Sequence, residues 1–433
     1  MYRIITTAII ASFFFFSCSQ HEKSIVQKED YVQYLQPALL KEDKKANAAE
    51  IAFWQERLSK DTGNYVNKLE LSNNYLHRFR LTGEIDFLLA GDSLLRKSSE
   101  KLGNKDADIL FALSQNSITQ HQFVNAVAFN NEALKAKGDP YINKLLEFDT
   151  KMELGKYEDA YNALASVKDQ NAFDYLIRKA KLEDHLGNQD ASIRSMELAF
   201  EKIKNKKKSL YCWTLSNLAD MYGHAGRVKE SYKAYLDVLK KDPTNLYCLK
   251  GIAWIAYSHD GNTRAAREIL HFILSQTKMP DLKLMLAEIA GTENNLTERN
   301  SLLHEFVNEV QQPGYGGMYN KYLIHLYNEE PGQFGNAIAL AEKELKNRFT
   351  PETCDWLAWS YYSSGDKAKA MDHATIYVYN KTYEPEALMH TAFIYADNGK
   401  KDEARKMLND CLESSFELGP AATQKIKEKL QTL

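Results

Sequence analysis

A glycine followed five residues later by a small residue recurs along most of this chain. The pairs are Gly155 and Ala160, Gly187 and Ser192, Gly226 and Ser231, Gly261 and Ala266, Gly332 and Ala337, Gly365 and Ala370, and Gly399 and Ala404. The small residues advance by 32, 39, 35, 71, 33 and 34 positions, and 71 spans two periods with one degenerate copy between. Such a period means that one supersecondary unit is stacked many times. It overrides the two or three domains, roughly, that chain length alone would predict. A stacked array offers an extended surface for holding something and seldom a pocket for catalysis.

Residues 212–245 show the unit. Leu215, Leu218, Ala219 and Tyr222 fall on one stripe of an amphipathic helix, and Gly226 ends it in the left-handed conformation glycine adopts freely. A second stripe follows in Val228, Ser231, Tyr235 and Val238, closed by Asp242 and Pro243. The unit is an αα-hairpin. The small residue has a mechanical reason: the two helices cross closest there, where only Ala or Ser lets the backbones approach. Prolines at comparable inter-unit positions (Pro140, Pro243, Pro280, Pro351, Pro385, Pro420) punctuate the array.

The small residue seven before the glycine (Ala219, Ala358, Ala392), the tyrosine four before it (Tyr222, Tyr257, Tyr361, Tyr395) and the later Ala and Pro together resemble the tetratricopeptide repeat. The resemblance covers about residues 64–415. It is strongest in residues 141–275 and 318–415 and weaker near 64–105 and 281–312, where irregular helices are expected. His121 replaces the turn glycine before Ala126. The resemblance implies an all-α, right-handed superhelical solenoid of about nine or ten helix pairs over residues 48–415. Pro420 and the residues after it resemble the helix that caps such arrays, so residues 416–433 are expected to cover the open face of the last unit.

The N-terminus reads differently. Arg3 precedes a 13-residue apolar run at residues 4–16, too short to span a bilayer as a helix but suited to a signal-peptide core. The run ends at Ser17 and Cys18, which resembles a bacterial lipobox, with Phe15 and Phe16 departing from its usual residues. Residues 1–17 are therefore expected as a lipoprotein signal peptide and Cys18 as the lipidated residue, two or more acyl chains being enough for stable anchoring. Residues 18–47 are polar and charged at 41–45, which predicts a tether, although Tyr31, Tyr34 and Leu35 could pack on the first repeat. Cys212, Cys248, Cys354 and Cys411 match no disulfide framework or metal pattern and read as buried thiols.

In a stacked array the first helix of each pair lines the concave groove. Its exposed side over residues 318–396 presents Tyr319, Tyr322, Trp356, Trp359, Tyr362, His390 and Phe393. Aromatic side chains with polar tips suit recognition of a peptide or a glycan. Trp356 and Trp359 serve equally well as inter-repeat core. His185, His224 and His259 each stand two residues before a turn glycine and form a candidate metal ladder. Rungs about 10 Å apart are too distant for one metal to bridge, and each histidine also suits a helix C-terminus. Lys202, Lys204, Lys206, Lys207 and Lys208 fall in the longest inter-unit connection and read as a solvated loop or a contact for anionic lipid or polymer.

A net charge of −3 over 433 residues argues against nucleic acid. HExxH, P-loop, GxSxG and strand-borne GxGxxG motifs are absent from the sequence, so neither an enzyme nor a cofactor is expected. Ile177, Lys181, Asn217 and Gly251 do not reproduce the two-carboxylate clamp of chaperone-binding tetratricopeptide proteins. The chain is thus expected to be an exported, membrane-anchored scaffold or adaptor facing the periplasm or cell surface and binding a protein or peptide partner. The alternatives are a glycan-binding surface lipoprotein of a nutrient-uptake system and a metal-handling accessory to a membrane permease. The lipobox reading predicts that Cys18→Ser releases the protein from the membrane fraction to the soluble fraction on cell fractionation. Retention of the variant on the membrane would contradict it.

Overall fold

The computed structural model describes residues 24–433, and all regular structure among them is helical. Residues 1–17 and Cys18 lie outside the described residues. Two helices, α1 (Lys28–Tyr31) and α2 (Pro37–Lys60), lead into the repeats. Five pairs follow: α3 (Tyr65–Thr82) with α4 (Ile85–Lys101), α5 (Ala107–Thr119) with α6 (Phe123–Lys135), α7 (Pro140–Glu153) with α8 (Tyr157–Ala165), α9 (Phe173–His185) with α10 (Gln189–Ile203), and α11 (Lys208–His224) with α12 (Val228–Lys241). Five more complete the array: α13 (Leu246–Ser258) with α14 (Thr263–Gln276), α15 (Asp281–Thr292) with α16 (Leu296–Val310), α17 (Asn320–Glu329) with α18 (Phe334–Asn347), α19 (Pro351–Ser363) with α20 (Lys367–His373), and α21 (Pro385–Asp397) with α22 (Lys401–Glu413). The last helix, α23 (Ser415–Thr432), is kinked at Gly419. The array is an all-α solenoid at the upper end of the expected number of units.

The small residue sits where the helices of a pair cross. Ala160, Ser192, Ser231, Ala266, Ala337, Ala370 and Ala404 are each at most 1% exposed, and so is Ala126 of the unit that lacks the glycine. The approach is close enough for hydroxyl-to-backbone bonds: Ser192 Oγ donates to the Ala180 carbonyl at 2.7 Å, and Ser114 Oγ to the Ala126 carbonyl at 2.8 Å. In the units without the glycine, His121 (φ 56°) and Asn294 (φ 60°) take the left-handed turn conformation instead. The degenerate copy at residues 281–312 is therefore a regular helix pair. The lysine-rich stretch is less of a loop than expected. Its long period comes from 15- and 17-residue helices α10 and α11, with Lys202 inside the first and Lys208 opening the second.

Units far apart in sequence touch because the array winds back on itself. The Lys278 amide donates to the Thr82 carbonyl at 2.7 Å. Asn347 Nδ2 donates to the His121 carbonyl across a separation of 226 residues, and Arg348 pairs with Glu153 at 3.5 Å across 195. These contacts join one turn of the superhelix to the next.

Both ends depart from expectation. Residues 24–47 are not an extended tether. Val26, Tyr31, Tyr34 and Leu40 are buried in the main core, and Asp260 accepts from Ser24 Oγ (2.6 Å) and from the amides of Ile25 (3.0 Å) and Val26 (2.8 Å). Lys28 pairs with Glu268 at 2.7 Å, and Tyr232 Oη donates to Asp30 at 3.1 Å. Residues 24–35 thus dock on the units of α12 and α14, and α2 carries the chain on to the first repeat, where Asn47 Nδ2 donates to the Asn74 carbonyl at 3.1 Å and Arg78 donates to the Lys44 carbonyl at 2.8 Å. Polar side chains here complete a charged surface on those units, which composition alone cannot distinguish from a solvated linker. At the other end, α23 covers α22 but also crosses α11, α13 and α15. It bridges units instead of only capping the last one.

Trp356 is core, correcting its placement in the groove. It is 5% exposed among Ile324, Ala337, Ala341 and Leu357, with the Arg348 guanidinium 5.2 Å from its ring centre. Replacing it with alanine should cost about 3–5 kcal/mol, whereas the half-buried Trp359 should cost clearly less, as read from chemical denaturation. Equal, small losses would contradict the core assignment. Gly155 and Gly226 give a second test. Both hold positive φ (72° and 69°), but a Cβ on Gly155 would strike the Phe349 carbonyl while one on Gly226 meets nothing within 4 Å. Gly226→Ala should lose only the left-handed penalty of about 1 kcal/mol. Gly155→Ala should lose about 3 kcal/mol or more, since it also forces the two superhelical turns apart. Equal thermal midpoints for the two variants would show that those turns do not touch.

Candidate functional site: an aromatic channel closed by the last helix

The first helices of the later pairs face inward. α13, α15, α17, α19 and α21 line a half-open cavity of about 1440 Å³, and α23 lies along it. The last helix is held there by specific bonds. The Phe416 carbonyl accepts from Trp254 Nε1 (3.1 Å) and Ser258 Oγ (2.8 Å), Lys425 pairs with Glu329 at 3.4 Å, and Lys429 pairs with Asp397. Tyr362 Oη donates to the same Asp397 at 2.9 Å.

Five of the seven sequence-predicted groove residues line this cavity: Tyr322, Trp359, Tyr362, His390 and Phe393. Trp359 is the centre of an aromatic stack. Its ring lies 4.1 Å from His390 at 13° and 4.9 Å from Tyr362 at 21°, with Phe393 6.2 Å away. Tyr322 is 41% exposed and lines the cavity. Tyr319 belongs elsewhere. It packs edge-on against Phe306 (5.7 Å) and Tyr315 (5.6 Å), and burial raises its hydroxyl pKa. Trp356 is buried as described above.

Register accounts for only part of this pattern. Trp356 and His390 both stand nine residues before their turn glycines, Gly365 and Gly399, and both are buried between units. Trp359 and Phe393 stand six before and line the cavity. His390 nonetheless lines the cavity while Trp356, at the same register, packs into the core, so a comparison between units does not by itself separate Trp356 from Trp359.

The cavity wall also carries charge. Lys321 Nζ bonds Glu386 Oε2 at 2.7 Å. Burial alone would raise the Glu386 carboxyl, but His325, Lys321 and His390 hold it well below the usual range. Burial lowers His325 to about 4, so its imidazole is neutral near pH 7. His390 Nδ1 lies 2.8 Å from Asp355 Oδ2, both side chains being buried; burial raises the Asp355 carboxyl while His390 pulls against that rise. His325 and Glu386 are absent from the sequence-based list. α17 ends three residues before Gly332, whereas α19 and α21 end two before Gly365 and Gly399, so counting back from the glycine misplaces His325 by one position. Corrected for that residue, His325 aligns with Trp359 and Phe393.

The three ladder histidines do not converge. His185 stacks on Tyr157 at 3.7 Å, His224 Nδ1 lies 3.7 Å from Glu417, and His259 Nδ1 lies 2.8 Å from Asp260, the acceptor of the N-terminal segment. The cysteines Cys212, Cys248, Cys354 and Cys411 are buried and free, as expected.

The tetratricopeptide-repeat family profile matches residues 386–415, which are most of α21 and α22. No curated protein sequence matches the chain. Among solved structures, similarity extends to the Cut9–Hcn1 hetero-tetramer of APC/C, at 14% identity over 94% of this chain and 97% of that one with a TM-score of 0.34. It extends also to a tetratricopeptide repeat protein from Parabacteroides merdae (15% identity, 68% and 98% of the chains, TM-score 0.34). Yeast Tom70 is similar at 12% identity over 93% and 96% of the chains, with a TM-score of 0.33. The chain carries a tetratricopeptide repeat at residues 386–415 within an all-helical array of antiparallel helix pairs.

Proposed function

We propose that this protein is a non-catalytic, membrane-anchored scaffold that binds a segment of a protein partner in its aromatic channel. An array of tetratricopeptide-type helix pairs is an interaction surface by construction, since neighbouring units bury one another and leave a continuous inner face. The observation that carries the reading is the Tyr362–Trp359–His390 stack, with Phe393 beside it and the exposed Tyr322 lining the same cavity. Rigid aromatic rings supply large contact area at small entropic cost, as binding hot spots require. The mixed charges of Lys321, Glu386, Lys425 and Glu329 around them favour a polypeptide, which offers both signs and amide groups, over a uniformly charged polymer.

Anchoring is assigned to Cys18. No described helix is long and apolar enough to cross a membrane, so in this reading the lipid on Cys18 does the holding, with the body facing the periplasm or the cell surface. The docked segment at residues 24–47 then leaves a short connection to the bilayer, and the array would sit close to the surface.

Crosslinking in the membrane fraction followed by affinity purification tests the partner. A protein should be recovered with the wild type and lost with Trp359→Ala combined with Phe393→Ala, in a variant whose helical content and thermal midpoint are retained. Recovery of the same protein by the double variant, or of none by the wild type, would overturn the channel assignment. Glycan-array binding that disappears in the double variant would replace the peptide reading by the glycan one.

A further inference from the structure

We propose that His325, Glu386 and His390 form a binding site for one divalent transition-metal ion of the zinc class, with Asp355 positioning His390. The site lies on the channel wall. It is separate from the His185, His224 and His259 positions that the sequence singles out.

Geometry carries the assignment. One ligand atom from each of the three residues lies within 4.8 Å of the other two. His325 Nε2 is 4.0 Å from Glu386 Oε1, and the two imidazole rings are 5.5 Å apart at 31°. Tetrahedral zinc with bonds of about 2.0–2.2 Å needs ligand atoms about 3.4 Å apart, so each side chain must move inward by about 1 Å, within reach of small torsional changes.

His325 Nε2 is buried and has no hydrogen-bond partner. A buried polar nitrogen left unpaired is destabilising, and a metal ion would satisfy it. The contacts of His390 have the arrangement that ligating histidines show. One ring nitrogen is bonded to a buried carboxylate, Asp355 Oδ2 at 2.8 Å, which fixes the tautomer and orients the other nitrogen. Trp359, stacked at 4.1 Å, fixes the plane of the same ring. Glu386 divides its oxygens: Oε2 holds Lys321 at 2.7 Å, while Oε1 is the oxygen near His325.

The donor set decides the class of ion. Two imidazole nitrogens and one carboxylate oxygen suit zinc and its neighbours, whereas calcium and magnesium require six or so oxygens. Three protein ligands leave a fourth position, which opens on the channel. Ligands from α17 and α21, with the orienting carboxylate from α19, would tie three successive inner helices together.

The test is zinc titration of the full chain after chelator treatment, against a chromophoric competitor, with the cobalt(II) visible spectrum as a second readout. One equivalent should bind, and cobalt should give the intense absorption of a four-coordinate site. His325→Gln and His390→Gln should each weaken binding at least about 100-fold, and Asp355→Asn about 10- to 100-fold. Zinc should raise the thermal midpoint of the wild type and not that of His325→Gln. Replacing His185, His224 and His259 together should change nothing. Circular dichroism checks each variant; if either histidine variant fails to fold, Glu386→Gln must still weaken zinc binding and change the cobalt spectrum. Absence of stoichiometric binding overturns the site. So does binding unaffected in the folded variants, or binding lost in the triple variant instead.

Discussion

The structure depends on one steric constraint, the absence of clearance between the two helices of each pair where an alanine or serine sits five residues after the turn. At Ala160, Ser231 or Ala404 a larger side chain would push the helices apart, and that displacement would be passed to both neighbouring units. Because the constraint recurs at each period, each pair packs on the next in the same way, and the inner helices α13, α15, α17, α19 and α21 line one cavity. The channel and its aromatic lining are consequences of that stacking.

A second layer of contacts turns a stack into a closed body. An array held only by nearest neighbours could open along its length, since each unit touches little else. Here the loops around Thr82, His121 and Glu153 rest on Lys278, Asn347 and Arg348 of a later turn. The N-terminal segment clamps the middle units through Asp260 and Glu268, and α23 does so from the inside through Phe416. Individually these polar contacts are modest, and exposed ion pairs contribute about 0–1 kcal/mol each. Their weight is geometric: they join parts of the chain that local packing leaves free.

The sequence makes the first layer legible and the second largely illegible, for a physical reason. Intra-pair packing is local, so Gly226, Ser231 and Tyr222 announce it at fixed spacing. The same logic extends to His121 and Asn294, which hold the left-handed turn where glycine is missing. Contacts between superhelical turns have no fixed spacing, so nothing about Ser24 or Tyr31 marks Asp260 and Glu268 as partners. A polar, charged stretch therefore looks like a tether when it is a docked segment. The channel was half legible. Tyr322, Trp359, Tyr362, His390 and Phe393 line the cavity as helical register predicts, whereas Trp356 shares the register of His390 and is core, because its neighbours Ile324, Ala337 and Ala341 belong to the preceding unit. His325 and Glu386 escaped because a longer turn before Gly332 shifts the count by one and because 61 residues separate the two.

Zero-length carbodiimide crosslinking of the full chain, read by mass spectrometry, tests the closed superhelix most directly, because it joins only lysines and carboxylates in direct contact. The account predicts crosslinks between Lys28 and Glu268 (2.7 Å), Lys425 and Glu329 (3.4 Å), and Lys278 and Glu84 (4.0 Å), each joining units remote in sequence. Crosslinks confined to single units and their immediate neighbours would contradict it, leaving an open solenoid without the channel.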